Sequence, residues 1–324
     1  MSTPCVTVVI PYFQRQPGVL RKALRSVAAQ IACPLPIHVL VVDDASPAAA
    51  AAEVAGLRPE TAIDVRIIEQ PNGGPGAARN TGLSAASPDT KYLAFLDSDD
   101  EWSADHLARA VRALDAGFDL YFADHLQLGQ QTSAFARARR IQPQDHPAIG
   151  AVEEHLHAYQ GDLFDQILRG NVIGTSTVVF RWAKFARERF QVEFKTAGED
   201  YLFWMALARQ GAATAFSSRS EATYGRGVNV FSGAGWGTEA HLQRLHHEIR
   251  FRCAVRNQHP LSAAQRRHVQ DDLRRLRQDF ARDVLHRIRH GKRFPPGLLR
   301  EHAKADLPTY LAMPVNLSRI VLGR

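Results

Sequence analysis

Cysteine is scarce: Cys5, Cys33 and Cys253 are odd in number and far apart in a chain of 324 residues. That excludes a disulfide framework and a CxxC zinc site, and it fits a reducing cytoplasm. No uncharged apolar run approaches the roughly 18 residues that a membrane-spanning helix needs. The opening residues, MSTPCVTVVIPYF, lack a basic n-region and pass directly into a strand-like segment, so no signal peptide is expected. No fixed-period repeat is visible, and the composition is not that of collagen, a coiled coil or a disordered chain. What remains is a soluble globular chain, 45% hydrophobic and 23% charged, long enough for one large domain with an appendage or for two domains.

The net charge is +7, and its location matters more than its size. Residues 261–300 carry eleven basic and four acidic residues, an excess equal to that of the whole chain. A neutral body with one basic segment points to a local anionic contact rather than to nucleic acid in bulk.

The first 125 residues alternate β-rich runs with helix-like stretches. VTVVI (6–10), IHVLVV (37–42), IDVRII (63–68), YLAFL (92–96) and FDLYFA (118–123) suit strands buried on both faces. Helix candidates lie between them at 18–30, 48–57, 76–87 and 104–116. Such a βαβα succession predicts a mainly parallel sheet with ligands at the carboxyl ends of the strands, after Ile10, Val42 and Leu96. Residues 125–165 lack apolar periodicity and read as a surface excursion. NVIGTSTVVF (171–180) reads as a strand and GEDYLFWMALARQG (198–211) as a helix. After a glycine-dense loop at 224–237 the pattern is helical to about residue 290, with Val269, Leu273, Leu276, Phe280, Val284 and Ile288 on one face. From Phe294 the chain reads as proline-containing turns and short apolar segments.

Three features carry chemistry. Asp97-Ser98-Asp99-Asp100 follows a strand; three carboxylates there repel one another unless a cation joins them, which suits Mg²⁺ or Mn²⁺ held together with phosphate oxygens. The alternative is a turn and helix cap. Asp43-Asp44 sits at the equivalent end of the second strand, where a carboxylate can accept from a base or a ribose, or simply close an Asx turn. Gln70 to Asn80 is a glycine-rich loop opening a helix, without GxGxxG or GK[ST] spacing. Its Arg79 either faces a nucleotide diphosphate or is a surface arginine.

VTVVIPYFQR, VVDDAS, NGGPGAARNTGL, YLAFLDSDDEW, NVIGTSTVVFR and GEDYLFWMALARQG, in this order, resemble a family 2 inverting glycosyltransferase of the GT-A fold, over roughly residues 5–225. The resemblance implies an α/β GT-A fold, Rossmann-like with a mainly parallel sheet flanked by helices. Residues 1–225 would form the nucleotide-sugar-binding and catalytic domain. Residues 226–324 would form a glycine-rich loop and a basic amphipathic helical extension. It further implies that Pro11, Tyr12 and Phe13 meet the nucleobase, with Phe13 where the family often has Tyr. Asp44 would pair with the base, supported by Asp43, and Arg79 would contact the nucleotide. Asp97, with Ser98 beside it, would approach the ribose and the metal. Asp99 would ligate that Mn²⁺ or Mg²⁺. Asp200, in Glu199-Asp200, would be the catalytic base. Where members often carry Arg and then His after a Tyr, Tyr224-Gly225-Arg226-Gly227-Val228-Asn229 has no His, and Arg226 is placed to neutralise the diphosphate instead.

Inverting displacement independently requires a carboxylate near the acceptor hydroxyl and positive charge on the departing diphosphate. The expected donor is a UDP-sugar and the expected acceptor a saccharide or lipid-linked saccharide of surface polysaccharide or glycolipid synthesis. A GT-A-like nucleotidyltransferase and a non-catalytic nucleotide-sugar-binding protein are the alternatives. Trp236 either stacks on a sugar or packs. His246-His247 and His286-His290 read as solvated helix faces. The arginines of 265–290 (Arg266, Arg267, Arg274, Arg275, Arg277, Arg282, Arg287 and Arg289) either meet the anionic inner face of a membrane, making the protein peripheral, or are solvated beside a stripe packed on the catalytic domain or on a second copy. Nucleic acid is not expected, because no aromatic residues interleave with them.

Overall fold

The computed structural model describes residues 3–57, 63–127, 129–150, 155–194, 198–225 and 235–321. The chain divides into two compact units, one of residues 1–195 with 199–228 and the other of 196–198 with 229–324.

The first unit is built on a mixed sheet. Its strands are β1 (Cys5–Tyr12), β2 (Ile37–Asp43), β3 (Asp64–Glu69), β4 (Thr90–Phe95), β5 (Glu101–Trp102), β6 (Leu120–Gln127), β7 (Leu156–Ala158), β8 (Val179–Arg181) and β9 (Thr214–Tyr224). They run in the order β3-β2-β1-β4-β8-β6-β9-β5, with β7 added on β9. The pairs β3–β2, β2–β1, β1–β4 and β6–β9 are parallel, while β8 is antiparallel to both of its neighbours. Helices α1 (Leu20–Ala28), α2 (Ala50–Ala55), α3 (Pro75–Ala85) and α4 (His106–Asp115) link the early strands. They are followed by α5 (Ala134–Ala138), α6 (Leu163–Arg169), α7 (Trp182–Phe185) and α8 (Glu199–Arg209). All eight residues of β1 are buried, as an apolar run covered on both faces requires. Helix α3 lies so close to β1 that a Cβ on Gly82 would sit 2.3 Å from Val9 Cγ1. Because β1 pairs with β2 on one side and β4 on the other, the strand order reverses there, and the carboxyl ends of those strands are where a sheet of this kind takes a ligand.

Two expectations for this unit are corrected. NVIGTSTVVF is not one strand: Thr175–Thr177 form a 3₁₀ turn and only Val179–Arg181 pair. The Thr177 hydroxyl bonds back to the Gly174 carbonyl at 2.8 Å, which closes the turn locally. The expected surface excursion over 125–165 carries, where described, the end of β6, α5, a 3₁₀ turn at Pro143–Asp145, β7 and the start of α6. Phe135, Ile141 and Leu156 are buried, and Phe135 packs edge-on against Phe122 and Phe216. A few apolar anchors on elements this short leave no periodicity to read.

The second unit is helical: α9 (Glu239–Gln258), α10 (Ala263–Arg289), α11 (Leu298–Ala305) and α12 (Leu307–Val321). Ser262 and Gln265 form a capping box that starts α10. Val269, Leu273, Leu276, Phe280 and Val284 are buried as expected, but Ile288 is exposed. Beyond Phe294, where turns and short apolar segments were expected, the chain is mostly helical: α11, then α12, which takes in LPTYLAM and the described part of SRIVLG. Nor do the arginines of α10 form one solvated face. Arg287 is buried and bonds Asp283 one turn earlier at 2.6 Å, while Arg277 grips Asp306 through Nε and Nη2 at 2.7 and 2.6 Å. His246 is buried as well, its Nδ1 2.9 Å from that of His302. Burial pushes the two imidazoles down to about 3 and about 4 respectively, which keeps both neutral. Trp236, half-exposed, packs edge-on against His241. Among the described residues no helix is long and apolar enough to cross a membrane.

Candidate functional site

The carboxyl ends of β1 and β2 are in register, Tyr12 opposite Asp43, and the Asp44 amide donates to the Tyr12 carbonyl at 2.9 Å. Asp43 spends its carboxylate locally: Oδ1 accepts from the Ser46 amide and Oδ2 from the Ala50 amide, each at 2.8 Å. It closes the turn into α2. Asp44 is buried and holds the glycine-rich loop. Its Oδ1 accepts from Gln70 Nε2 at 2.6 Å and from the Gly73 amide at 2.8 Å, and its Oδ2 accepts from the Gly74 amide at 2.8 Å. Gly74, at φ +87°, occupies the left-handed region that lets the loop turn into Pro75 and α3. Pro11 and Tyr12 are buried at the end of β1, Phe13 is partly exposed beyond it, and Gln14 donates to the Ser98 hydroxyl at 3.1 Å. The structure thus brings Phe13, Asp44 and Ser98 to one edge, with the two aspartates engaged by the protein's own backbone.

Helix α3 then delivers Arg79 beneath the acid cluster. Its Nη2 donates to Asp97 Oδ1 at 2.7 Å and its Nη1 to Glu199 Oε1 at 3.1 Å, and its guanidinium lies 5.4 Å from the Phe190 ring centroid. It is a buried arginine between two carboxylates, not a surface one. Burial alone would lower its pKa; Asp97 and Glu199 overcome that and raise it.

Asp97 is partly exposed, at the mouth of β4. Behind it the 3₁₀ turn does the fixing. Ser176 Oγ accepts the Asp97 amide at 2.9 Å and donates to Asp100 Oδ2 at 2.5 Å, and the Gly225 amide reaches Asp100 Oδ1 at 2.8 Å. Burial, with the charges of Asp97 and Asp99 adding to it, pushes Asp100 well above the usual carboxylate range, only partly offset by those two hydrogen bonds. Past β9 the backbone runs so close to this turn that a Cβ on Gly225 would sit 1.9 Å from the Asp99 carbonyl.

Glu199 and Asp200 begin α8. Asp200 Oδ1 accepts from the Tyr201 amide at 2.9 Å, and Thr175 Oγ1 lies 3.4 Å from Oδ2. Burial, then the charge of Glu199, lift Asp200 to about 7, against the opposing pull of Arg79. Burial likewise raises Glu199. A carboxyl near 7 is poised to take up a proton at neutral pH.

Sequence reasoning missed Ser176, Thr175 and the closure of the site by Gly225. The polar Thr-Ser-Thr inside an otherwise apolar run was the available signal. Arg226 and the rest of the glycine-dense loop at 226–234 lie outside the described residues. Among the described residues no three His, Cys, Asp or Glu side chains converge as a self-sufficient metal site. A cation at Asp97 and Asp99 would therefore need oxygens from a bound ligand. Two carboxylates beside a third that burial and like charge disfavour ionising suit a hard divalent cation completed in that way.

The glycosyl transferase family 2 model matches residues 7–183. The succinoglycan biosynthesis protein ExoW of Rhizobium meliloti is 37% identical over 230 residues, 70% of this chain and 70% of its own. ExoO of the same organism is 34% identical over 127 residues, 39% of this chain and 34% of its own. Among solved structures, S. aureus TarS 1-349 in complex with UDP-GlcNAc superposes with a TM-score of 0.54 at 17% identity, over 86% of this chain and 71% of that one. The mannosyltransferase PcManGT from Pyrobaculum calidifontis, in complex with GDP-Man and Mn²⁺, gives 0.53 at 16% identity over 98% and 86%. A longer TarS structure is spanned for only 43% of its length. At such identities the structural likeness speaks for the fold.

Proposed function

The chain belongs to glycosyl transferase family 2 and is a glycosyltransferase, and from that premise we propose that it moves a sugar from a uridine diphosphate donor onto a saccharide or lipid-linked saccharide, with inversion at the anomeric carbon. The observation that carries this reading is the Arg79 guanidinium. By bonding Asp97 and Glu199 at once it holds acids about 100 residues apart around one centre.

In this reading the acceptor hydroxyl attacks the anomeric carbon while the bond from that carbon to the diphosphate oxygen breaks. The hydroxyl proton passes to Asp200, whose buried carboxylate beside Glu199 is basic enough to accept it. Glu199 stays bound to Arg79 and positions the start of α8. Asp97 and Asp99 would hold a divalent cation on the donor side, and Ser176 fixes the turn that presents them. When bound there, such a cation would supply positive charge to the leaving diphosphate. Phe13 offers a ring to the nucleobase, beside Pro11 and Tyr12. Asp44, by clamping the Gly73 and Gly74 amides, shapes the wall the nucleotide meets. Arg226 is assigned to the diphosphate.

Support for uridine comes from the TarS complexes with UDP and UDP-GlcNAc, and support for a divalent cation from the PcManGT complex with Mn²⁺. Support for polysaccharide synthesis comes from ExoW. A panel of nucleotide sugars with Mn²⁺, read by nucleotide release, tests the reading: one UDP-sugar should be turned over, and turnover should rise with a saccharide acceptor. Release from none of the panel, with the protein folded and metal present, would contradict it.

A further inference from the structure

Within the helical unit, α12 leaves one face uncovered. Leu307, Pro308, Leu311, Pro314, Val315 and Ser318 are exposed and fall on a single arc about 120° wide at 100° per residue. Leu307 is 57% exposed, Leu311 73% and Val315 54%. No charged residue interrupts the face, and its two prolines and one serine leave it smooth. Large apolar side chains aligned on one exposed helix face mark a contact surface rather than scattered surface residues.

Beside that face lies a cleft of about 270 Å³ lined by Arg256, Gln270, Leu273, Arg274, Arg277, Ala312 and Asn316. Ala312 and Asn316 are the next residues round α12 from the exposed arc, so the cleft borders the middle of the apolar face. Three guanidiniums contribute to it. Arg277 is neutralised by Asp306, whose carboxylate it grips bidentately. Arg274 is exposed and only loosely paired, 3.3 Å from Asp271. Arg256 has a weak contact to Asn257 at 3.4 Å. The lining contains no acidic side chain.

We propose that α12 and this arginine-lined cleft dock the protein on an anionic phospholipid surface, with Leu307, Leu311 and Val315 entering the acyl boundary and Arg256 and Arg274 meeting lipid phosphates in the cleft. An apolar helix face with cations at its rim is the arrangement that lies in a membrane interface. Charge complementarity selects the occupant: the cytoplasmic leaflet is anionic, and the cleft presents cations and amides but no acid. A second copy of this chain fits less well, because six side chains of one helix fall far short of the roughly 20–30 residues a side that stable dimers use. This relocates the membrane contact from the arginines along α10, several of which are neutralised within the fold, to α12 and one arginine pair. It stands independently of the sugar transferred.

Co-sedimentation of the full chain with vesicles, without donor or acceptor, tests it. Binding to mixed phosphatidylcholine–phosphatidylglycerol vesicles is expected at low salt, falling as salt rises, with little binding to phosphatidylcholine alone. Leu311→Glu should weaken it by roughly tenfold or more, and each of Arg256→Gln and Arg274→Gln by about fivefold. Arg289→Gln, at the far end of α10, should leave it unchanged. These side chains are exposed or partly exposed, and an unaltered melting curve for each variant shows that folding is not the cause. No binding to the anionic vesicles would overturn the proposal. So would binding that survives Leu311→Glu, or a lipid-independent dimer that Leu311→Glu dissolves.

Discussion

Ser176 donates its hydroxyl to Asp100 at 2.5 Å while its oxygen accepts the Asp97 amide, so one side chain ties the buried acid of the cluster to the exposed one. Ser176→Ala removes both bonds. It should cost about 1–3 kcal/mol, because the buried Asp100 carboxyl loses one of its two donors and keeps only the Gly225 amide. Thermal unfolding checks the loss, and nucleotide affinity in Mn²⁺ should fall in the same variant because the Asp97 backbone loses its anchor and only Arg79 still holds the side chain.

Arg79 is the cation on which the buried acids depend. Arg79→Met leaves Asp97 and Glu199 uncompensated and should destabilise by roughly 3–5 kcal/mol. The double variant Arg79→Met, Glu199→Gln should recover part of that stability but none of the turnover. Chemical denaturation of the two proteins measures the difference.

Two glycines separate packing from function. Gly82→Ala drives a methyl into Val9 and should cost about 1–3 kcal/mol by overpacking, away from the acids. Gly225→Ala drives one into the Asp99 carbonyl, so nucleotide affinity and turnover should fall by a larger share than in Gly82→Ala. Melting curves and rate measurements on the pair distinguish the two effects.

Asp200 carries a pH signature. Its folded pKa, about 7, lies above the unfolded value of about 3.9. The fold therefore disfavours the carboxylate, and this group's contribution to stability falls as pH rises from about 4 to about 7. Asp200→Asn abolishes that penalty, so it should melt higher than the wild type at pH 8 and equally at pH 4. As a base Asp200 works deprotonated, so turnover should rise with pH through an apparent pKa near 7. The Asn variant should lose roughly 10²–10⁴ in turnover with donor binding nearly intact.

The inner strands β1, β4 and β6 were legible because they are largely buried and read as apolar runs, β1 most clearly, while β3 at the edge is exposed or half-buried throughout. The acid clusters at their ends were legible as Asp-rich segments directly after apolar runs. What side chains do at short range was not. Asp43 and Asp44 have the same residue type and neighbouring positions, yet one closes a turn into α2 and the other clamps a loop more than 25 residues away. The Thr-Ser-Thr turn hid inside a β-like run because hydroxyls bonding locally leave no periodic trace. The charge pattern of α10 suggested a surface field, but Asp306 and Asp283, from another segment and from one turn back, neutralise two of its arginines inside the fold.

The proposed role of the donor-side acids predicts metal dependence. Asp99→Ala should abolish transfer and weaken nucleotide binding measured calorimetrically in Mn²⁺, with the melting temperature little changed. Excess EDTA should do the same to the wild type. Full activity in EDTA would remove the cation from the account.

The central claim, single displacement with Asp200 as base, is tested most directly by the anomeric configuration of the product. Proton NMR of the linkage formed from an α-configured UDP-sugar should show the β-glycoside, and the Asp200→Asn protein should form almost none of it. An α-linked product made at the wild-type rate would contradict the account.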